Sequence, residues 1–345
     1  MLVGINYPWI DCGWDFGDPP PAWVAGQSVA AWRENKRKQI EEDFRLFATQ
    51  GIRAVRWFIM ADGLNYGMGA WAPRNAAHGW AFDPLPAEDS FYKRFLNDFE
   101  FVLQVCRYNS LKLFPSLIDF SWCREGNPVA GNPGIIKGGR YDIVRNPEKQ
   151  QAFLDRILDP LLELSMRYVD SIYAWELINE PEGVVRNCWP WWKKDRDRMV
   201  SRKEMKAFIT EGIRRINAKQ LPNGSSAFRA SVGFAHWKSL AEWDAGKLGI
   251  TLHQFHYYAQ QNRELPQCAD TVDPPCIVGE FATAAGKDWP DLRAQGSEQT
   301  ITRKLFCIEH KGYPACFLWS AKALDPSTRW AEEEHREVVA YTGSK

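Results

Sequence analysis

Short apolar runs rich in β-branched and aromatic residues alternate along the chain with longer stretches whose apolar residues recur every three or four positions. The short runs predict strands at Leu2 to Tyr7, Ile52 to Phe58, Leu111 to Leu117, Ser171 to Ile178, Ala227 to Val232, Ile250 to His256, Cys276 to Phe281 and Ala315 to Trp319. The longer stretches predict amphipathic helices at Arg33 to Thr49, Phe91 to Tyr108, Pro147 to Tyr168, Arg202 to Lys219 and Glu298 to His310. Residues 259–275 show poor periodicity, so the crossover helix between the sixth and seventh strands is expected to be degenerate or missing. Regular alternation of strand and helix is the mark of a parallel sheet. No linker, composition shift or internal repeat divides the chain.

The connections are lopsided. Helix-to-strand links are short, as in Gln50-Gly51, Asn109-Ser110 and Lys311-Gly312-Tyr313, whereas the strand-to-helix links at 8–31, 59–90, 118–146 and 179–201 are long. One end of the sheet is trimmed and the other elaborated. An α/β fold of this kind, with eight strands, predicts a (β/α)8 TIM barrel over residues 1–345, a single domain with long βα loops on its C-terminal face, where barrel active sites lie. An open doubly wound sheet also places ligands at its strand ends, but here no glycine-rich phosphate turn follows the first strand.

Composition narrows the function. Across 345 residues, 43 basic and 43 acidic side chains cancel, and no block of like charge suggests a nucleic-acid partner or a membrane surface. No uncharged apolar run approaches the roughly 20 residues of a spanning helix, so no membrane partner is expected. The 17 Trp are a heavy load, divided between core segments and loops, where flat apolar rings serve binding. The 8 Cys form no CxxC. Cys106, Cys307 and Cys316 sit in apolar stretches and read as buried reduced thiols, whereas Cys12, Cys123, Cys188, Cys268 and Cys276 lie in or beside loops and are open to pairing. The first strand begins at Leu2 with no signal-like segment before it. A cytoplasmic location is therefore expected, with the mature part of an exported enzyme as the alternative.

Two strand ends carry unusual chemistry. The fourth runs Trp175-Glu176-Leu177-Ile178-Asn179-Glu180-Pro181 and the seventh Ile277-Val278-Gly279-Glu280-Phe281, so each presents a carboxylate at a C-terminal tip. Strands four and seven face each other across a barrel axis. Two carboxylates converging there suit glycosidic cleavage, one protonating the leaving oxygen while the other attacks the anomeric carbon.

In strand order and in these motifs the chain resembles the clan A retaining glycoside hydrolases, and most of all glycoside hydrolase family 5, the cellulase and β-mannanase family. The resemblance implies Glu180 as acid/base, Glu280 as nucleophile and Asn179 as partner of the sugar 2-hydroxyl. His256-Tyr257-Tyr258 resembles the sixth-strand His-x-Tyr, which implies that Tyr258 bonds the nucleophile and His256 lines the catalytic subsite. Arg56 resembles the second-strand Arg that supports the nucleophile. Trp319 resembles the aromatic floor under the reacting sugar, and a cis peptide to Ser320 is expected with it. Physical reasoning runs in parallel: Arg56 and a Tyr hydroxyl favour the charged form of Glu280, and a second carboxylate favours a proton on Glu180. The third strand departs from the family, offering Asp119 and Trp122 where a His is common. Glu176 and Glu182 flank the acid as decoys, with Pro181 expected to turn Glu182 towards the rim.

A β-linked glucan or mannan chain, or its oligosaccharides, is the expected substrate and partner, with no cofactor and no metal. Exo-acting β-glycosidase action and transglycosylation use the same residues, and the oligomeric state is left open. A metal hydrolase would need His253 and His256 together, but their odd separation along a strand sends them to opposite faces. A non-catalytic sugar-binding barrel would have no use for both carboxylates. The loop residues Trp9, Trp14, Trp23, Trp71, Trp80, Trp122, Trp189, Trp191 and Trp192 are candidate sugar platforms. Trp189 and one of Trp191 and Trp192 are expected to form a row beyond the catalytic pair in a cleft open along one direction.

Overall fold

A computed structural model describes residues 1–7, 26–60, 90–129, 132–186, 188, 199–258, 264–271, 275–284, 289–294, 296–321, 328 and 330–343. Eight parallel strands close into a barrel: β1 (Leu2–Tyr7), β2 (Ala54–Phe58), β3 (Lys112–Asp119), β4 (Trp175–Asn179), β5 (Ala230–Phe234), β6 (His253–Tyr257), β7 (Cys276–Ala282) and β8 (Ala315–Trp319). Going round the barrel the order is β1-β8-β7-β6-β5-β4-β3-β2, so each strand pairs with its neighbours in sequence and β8 returns to β1. All eight expected strands are present. The first and last match their expected limits, whereas β4 begins at Trp175 because Val169–Ser171 form a 3-10 turn first. A small antiparallel hairpin, Asn127–Val129 with Asn132–Lys137, follows β3 outside the barrel.

The helices follow their caps and apolar faces. Ser28 caps Val29–Thr49, whose buried Ile40, Phe44 and Phe47 lie one turn apart, and the Tyr7 ring packs on both Phe rings at 5.6 and 5.8 Å. Ser201 and Glu204 form a capping box at the start of Arg202–Asn217. The expected helix from Pro147 is interrupted by a π turn at Leu154–Leu158 before resuming at Asp159–Met166. Between β6 and β7 the described residues hold only the 3-10 turn Cys268–Asp270, as the weak periodicity there implied. The terminal helix Glu332–Gly343 was not anticipated. No helix among the described residues is long and apolar enough to cross a membrane. The seven described cysteines are all free, with Cys307 half-buried and the rest buried, so the pairing left open for Cys123, Cys188, Cys268 and Cys276 does not occur. Cys12 lies outside the described residues.

Inside the barrel the lower layer is apolar. Phe114, Tyr173 and Phe317 form a triangle of rings with centroids 5.4 to 5.7 Å apart, surrounded by Ala54, Leu252 and Ile277. Gly4 lies against it, since a Cβ there would stand 2.3 Å from the Phe317 ring. This plug closes the bottom and leaves the C-terminal strand ends to face outward together. Because Phe317 is fully buried in that plug, Phe317→Ala should cost about 3–5 kcal/mol in urea unfolding; a loss below about 1 kcal/mol would mean that the plug is not close-packed.

Candidate active site

Above the plug the interior turns polar, and Arg56 of β2 is its centre. The guanidinium is fully buried and all five of its N–H donors are used. Nε and one Nη2 proton go to the two oxygens of Glu176 at 2.8 and 2.7 Å, and the other Nη2 proton goes to Asn179 Oδ1 at 2.7 Å. Nη1 donates to Asn6 Oδ1 and to Glu280 Oε1, both at 2.7 Å. Burial opposes the charge on Arg56, but Glu176 and Glu280 outweigh it and hold the group above its ordinary range. Gly233 of β5 is the matching gap in the wall, for a Cβ there would lie 3.0 Å from both Arg56 Nη2 and Asn179 Oδ1.

Glu280 sits on β7 beneath the rim. Its Oε1 accepts from Arg56, and its Oε2 accepts from the Tyr258 hydroxyl at 2.7 Å. Across the axis, Glu180 directly follows β4 in the left-handed region at φ 43°, its N–H bonded to the Gly233 carbonyl at 2.6 Å. His256 joins the two: Nδ1 is 2.7 Å from Glu180 Oε1 and 3.4 Å from Glu280 Oε2. A donor atom from each of Glu180, His256 and Glu280 lies within 4.8 Å of the others. The two carboxylates differ in access, with side-chain exposure of 25% for Glu180 and 4% for Glu280.

Burial pushes the Glu280 carboxyl upward, opposed by the charges of His256 and Arg56, reinforced by Glu180 and opposed again by the Tyr258 bond. Arg56 and the Tyr hydroxyl therefore act in the expected direction, but desolvation outweighs them. Burial disfavours a charged His256 imidazole, yet the charge of Glu280 and the bond to Glu180 prevail and raise its affinity for a proton.

Asn179 is held from both sides: Arg56 fixes its Oδ1, and its Nδ2 donates to Asp119 Oδ2 at 2.8 Å, leaving one amide proton for a ligand. Asp119 in turn caps the 3-10 turn Phe120–Cys123 through Ser121 N–H. Trp319 ends β8 half-buried, edge-on to Phe58 at 6.3 Å, and its peptide to Ser320 is cis, as the resemblance implied.

Two expectations are corrected. Trp122 offers no sugar platform: the capped turn swings its ring into the core, where it is fully buried 5.3 Å from Phe153 and 5.4 Å from the Arg140 guanidinium. Glu182 does not reach the rim either. Pro181 opens a 3-10 turn that buries the Glu182 carboxyl, with Oε1 accepting from Ala235 N–H at 3.2 Å. Trp191, with Trp9, Trp14, Trp23, Trp71, Trp80, Trp189 and Trp192, lies outside the described residues. His253 is buried and, among the described residues, is not part of the cluster of Glu180, His256 and Glu280.

Sequence reasoning missed Asn6, Ser116 and Gln254. Asn6 Nδ2 bonds the carbonyls of Gly279 and Leu318, tying β1 to the strands that carry Glu280 and Trp319. The Ser116 hydroxyl and the Gln254 amide both bond Glu176. The available signal was an uncharged polar residue at an inward position of a strand.

Comparison with solved structures finds this fold in sugar-cleaving enzymes. A β-1,4-mannanase from the sea hare Aplysia kurodai superposes with a TM-score of 0.64 at 18% identity, covering 98% of this chain and 91% of that one. A β-mannanase from the blue mussel Mytilus edulis gives 0.66 at 15%, covering 99% and 91%. An exo-β-1,4-mannosidase from an Opitutaceae bacterium gives 0.59 at 14%, covering all of this chain and 59% of the other. No family model and no curated protein sequence matches the chain.

Burial raises the Glu182 carboxyl to about 7 from an ordinary value of 4.5. The folded protein therefore keeps a proton that the unfolded chain has lost, a contribution complete below pH 4.5 and lost as pH rises through 7. Glu182→Gln should gain stability relative to the unsubstituted protein over that interval, by about 3 kcal/mol at about 1.36 kcal/mol per pH unit. Melting temperatures of both proteins between pH 4.5 and 8 check this; parallel curves would mean that Glu182 is not buried as a neutral acid.

Proposed function

We propose that the protein is a retaining β-glycoside hydrolase that cleaves β-linked mannan or its oligosaccharides. The observation that carries this reading is the closeness of Glu180 and Glu280, which bring carboxylate oxygens within 4.8 Å of each other. A retaining pair stands about 5–5.5 Å apart, whereas an inverting pair needs about 6.5–9.5 Å to admit a water. The fold shared with mannanases favours mannan over glucan.

In the first step the Glu280 carboxylate attacks the anomeric carbon while Glu180 gives its proton to the departing glycosidic oxygen. The C–O bond breaks, the sugar becomes an ester of Glu280, and the leaving chain departs as an alcohol. In the second step Glu180, now a carboxylate, takes a proton from water, whose oxygen displaces Glu280 from the same carbon. Two inversions give net retention. Arg56 and Tyr258 hold the attacking carboxylate, and His256 bonds the acid/base. The free amide proton of Asn179 suits the 2-hydroxyl, a bond that strengthens as charge develops at the anomeric carbon. Trp319 offers its ring as the floor of the subsite.

Incubation with mannan and mannooligosaccharides, followed by NMR at early times, should show the β-anomer as first product; the α-anomer would overturn the mechanism. Short oligosaccharides from polymer would mark endo action, and mannose alone would mark exo action. Glu280→Gln should abolish turnover without unfolding the protein. Glu180→Gln should lose activity on mannan, whereas an aryl mannoside with a good leaving group, which departs without a proton, should give a burst of released phenol of about one equivalent before the second step, deprived of its base, becomes limiting.

A further inference from the structure

We propose that Glu176 is a positioning residue for the nucleophile: it holds Arg56 in register and balances its charge, so that Glu280 keeps a negative charge that the guanidinium does not cancel. The inference rests on the retaining reading of the site.

Glu176 is buried in mid-strand, away from the reacting atoms. Its four bonds are with Arg56 Nε, Arg56 Nη2, the Ser116 hydroxyl and the Gln254 amide. Guanidinium and amide N–H groups can only donate, so Glu176 acts as an acceptor there, which is the behaviour of a carboxylate. Arg56 is planar, and the pair of bonds to Glu176 fixes the plane. Once the plane is fixed, Nη1 can point only at Asn6 and Glu280. Charge follows the same division. One buried cation faces two carboxylates, and its other acceptors, Asn6 and Asn179, are neutral. A guanidinium paired with Glu280 alone would spend the carboxylate's charge and weaken it as a base and as a nucleophile.

The groups facing Glu280 are Arg56 from β2, Glu180 from the end of β4, and His256 and Tyr258 from β6 and the residue after it. Removing the negative charge of Glu176 lowers the proton affinity of Glu280, and of Glu180, His256 and Tyr258 beside it, because Arg56 then acts unopposed. A residue that merely fills space would leave those affinities where they are.

The test is Glu176→Gln beside Glu176→Asp. The Glu280 carboxyl is followed by carbon NMR in protein labelled at the Glu carboxyl carbon, its resonance identified by its loss in Glu280→Gln. In E176Q the Glu280 midpoint should fall by about half a pH unit or more. The acid limb of kcat/KM on an aryl β-mannoside should move down with it, and kcat should drop several-fold with KM nearly constant. In E176D, which keeps the charge, the midpoint should stay at its original place even where kcat falls. An unchanged or raised midpoint in E176Q overturns the proposal. If E176Q does not fold, E176D decides alone, and a downward shift there overturns it. Should the unsubstituted protein cleave no glycoside, the hydrolase reading fails, while the NMR midpoint still decides the link from Glu176 to Glu280.

Discussion

A buried guanidinium cannot give up its proton, so every donor it carries must find an acceptor inside the protein. At Arg56 that demand is met five times over, by Asn6 from β1, Glu176 and Asn179 from β4, and Glu280 from β7. Four of the eight strands are thereby held to one planar group, and their mutual heights are set by its geometry. Gly233 supplies the space that β5 must give up. Removing one partner from such a set typically costs about 3–5 kcal/mol, because it leaves buried charge uncompensated. Pairing by backbone alone would leave the barrel free to close at another stagger; the Arg56 cluster favours this one.

The interior is layered accordingly. The aromatic plug of Phe114, Tyr173 and Phe317 excludes water from below, the Arg56 network occupies the middle, and Glu180, His256 and Glu280 stand on top. The dry layer beneath strengthens each charge interaction above it. It also pushes the Glu280 carboxyl upward, and Arg56, His256 and Tyr258 work against that push. Glu180 sits further out, open to solvent on one side. That difference suits the two proposed roles, because an acid/base must exchange protons with water while a nucleophile gains from being kept from it.

The sequence made legible whatever was expressed locally. Apolar runs and short trimmed links announced eight strands and the face that would carry function, and the strand-end motifs around Glu180 and Glu280 stood out because carboxylates there have no packing role. Asn6, Ser116 and Gln254 were silent because each is an uncharged polar residue that belongs to no motif. Their meaning arises only when closure brings β1, β3 and β6 round one cation. Trp122 and Glu182 were misread for a common reason. Each follows a strand end by three residues, and a 3-10 turn, opened by Asp119 in one case and Pro181 in the other, carries it inward. A turn was expected after Pro181 and a loop around Trp122, but the direction in which a short turn carries its side chains is set by the packing around it, which the local sequence does not express.

The same limit applies to Glu180, and there the exception serves the proposed role. Neighbouring residues in an extended strand point to opposite faces. Asn179 and Glu180 are neighbours, yet Asn179 bonds Arg56 and Glu180 bonds His256, so both face the axis. The left-handed backbone at Glu180 makes this possible, at a cost of about 1–2 kcal/mol for a residue other than glycine. Its own N–H bonded to Gly233 and its carbonyl bonded by Gly183 N–H offset part of that cost. A glycine would adopt the conformation more readily but would bring no carboxyl. Strain of this kind persists where the surrounding structure over-determines it. Here Arg56 fixes Asn179 on one side and the β5 backbone fixes Glu180 on the other, so the turn between them has one way to run.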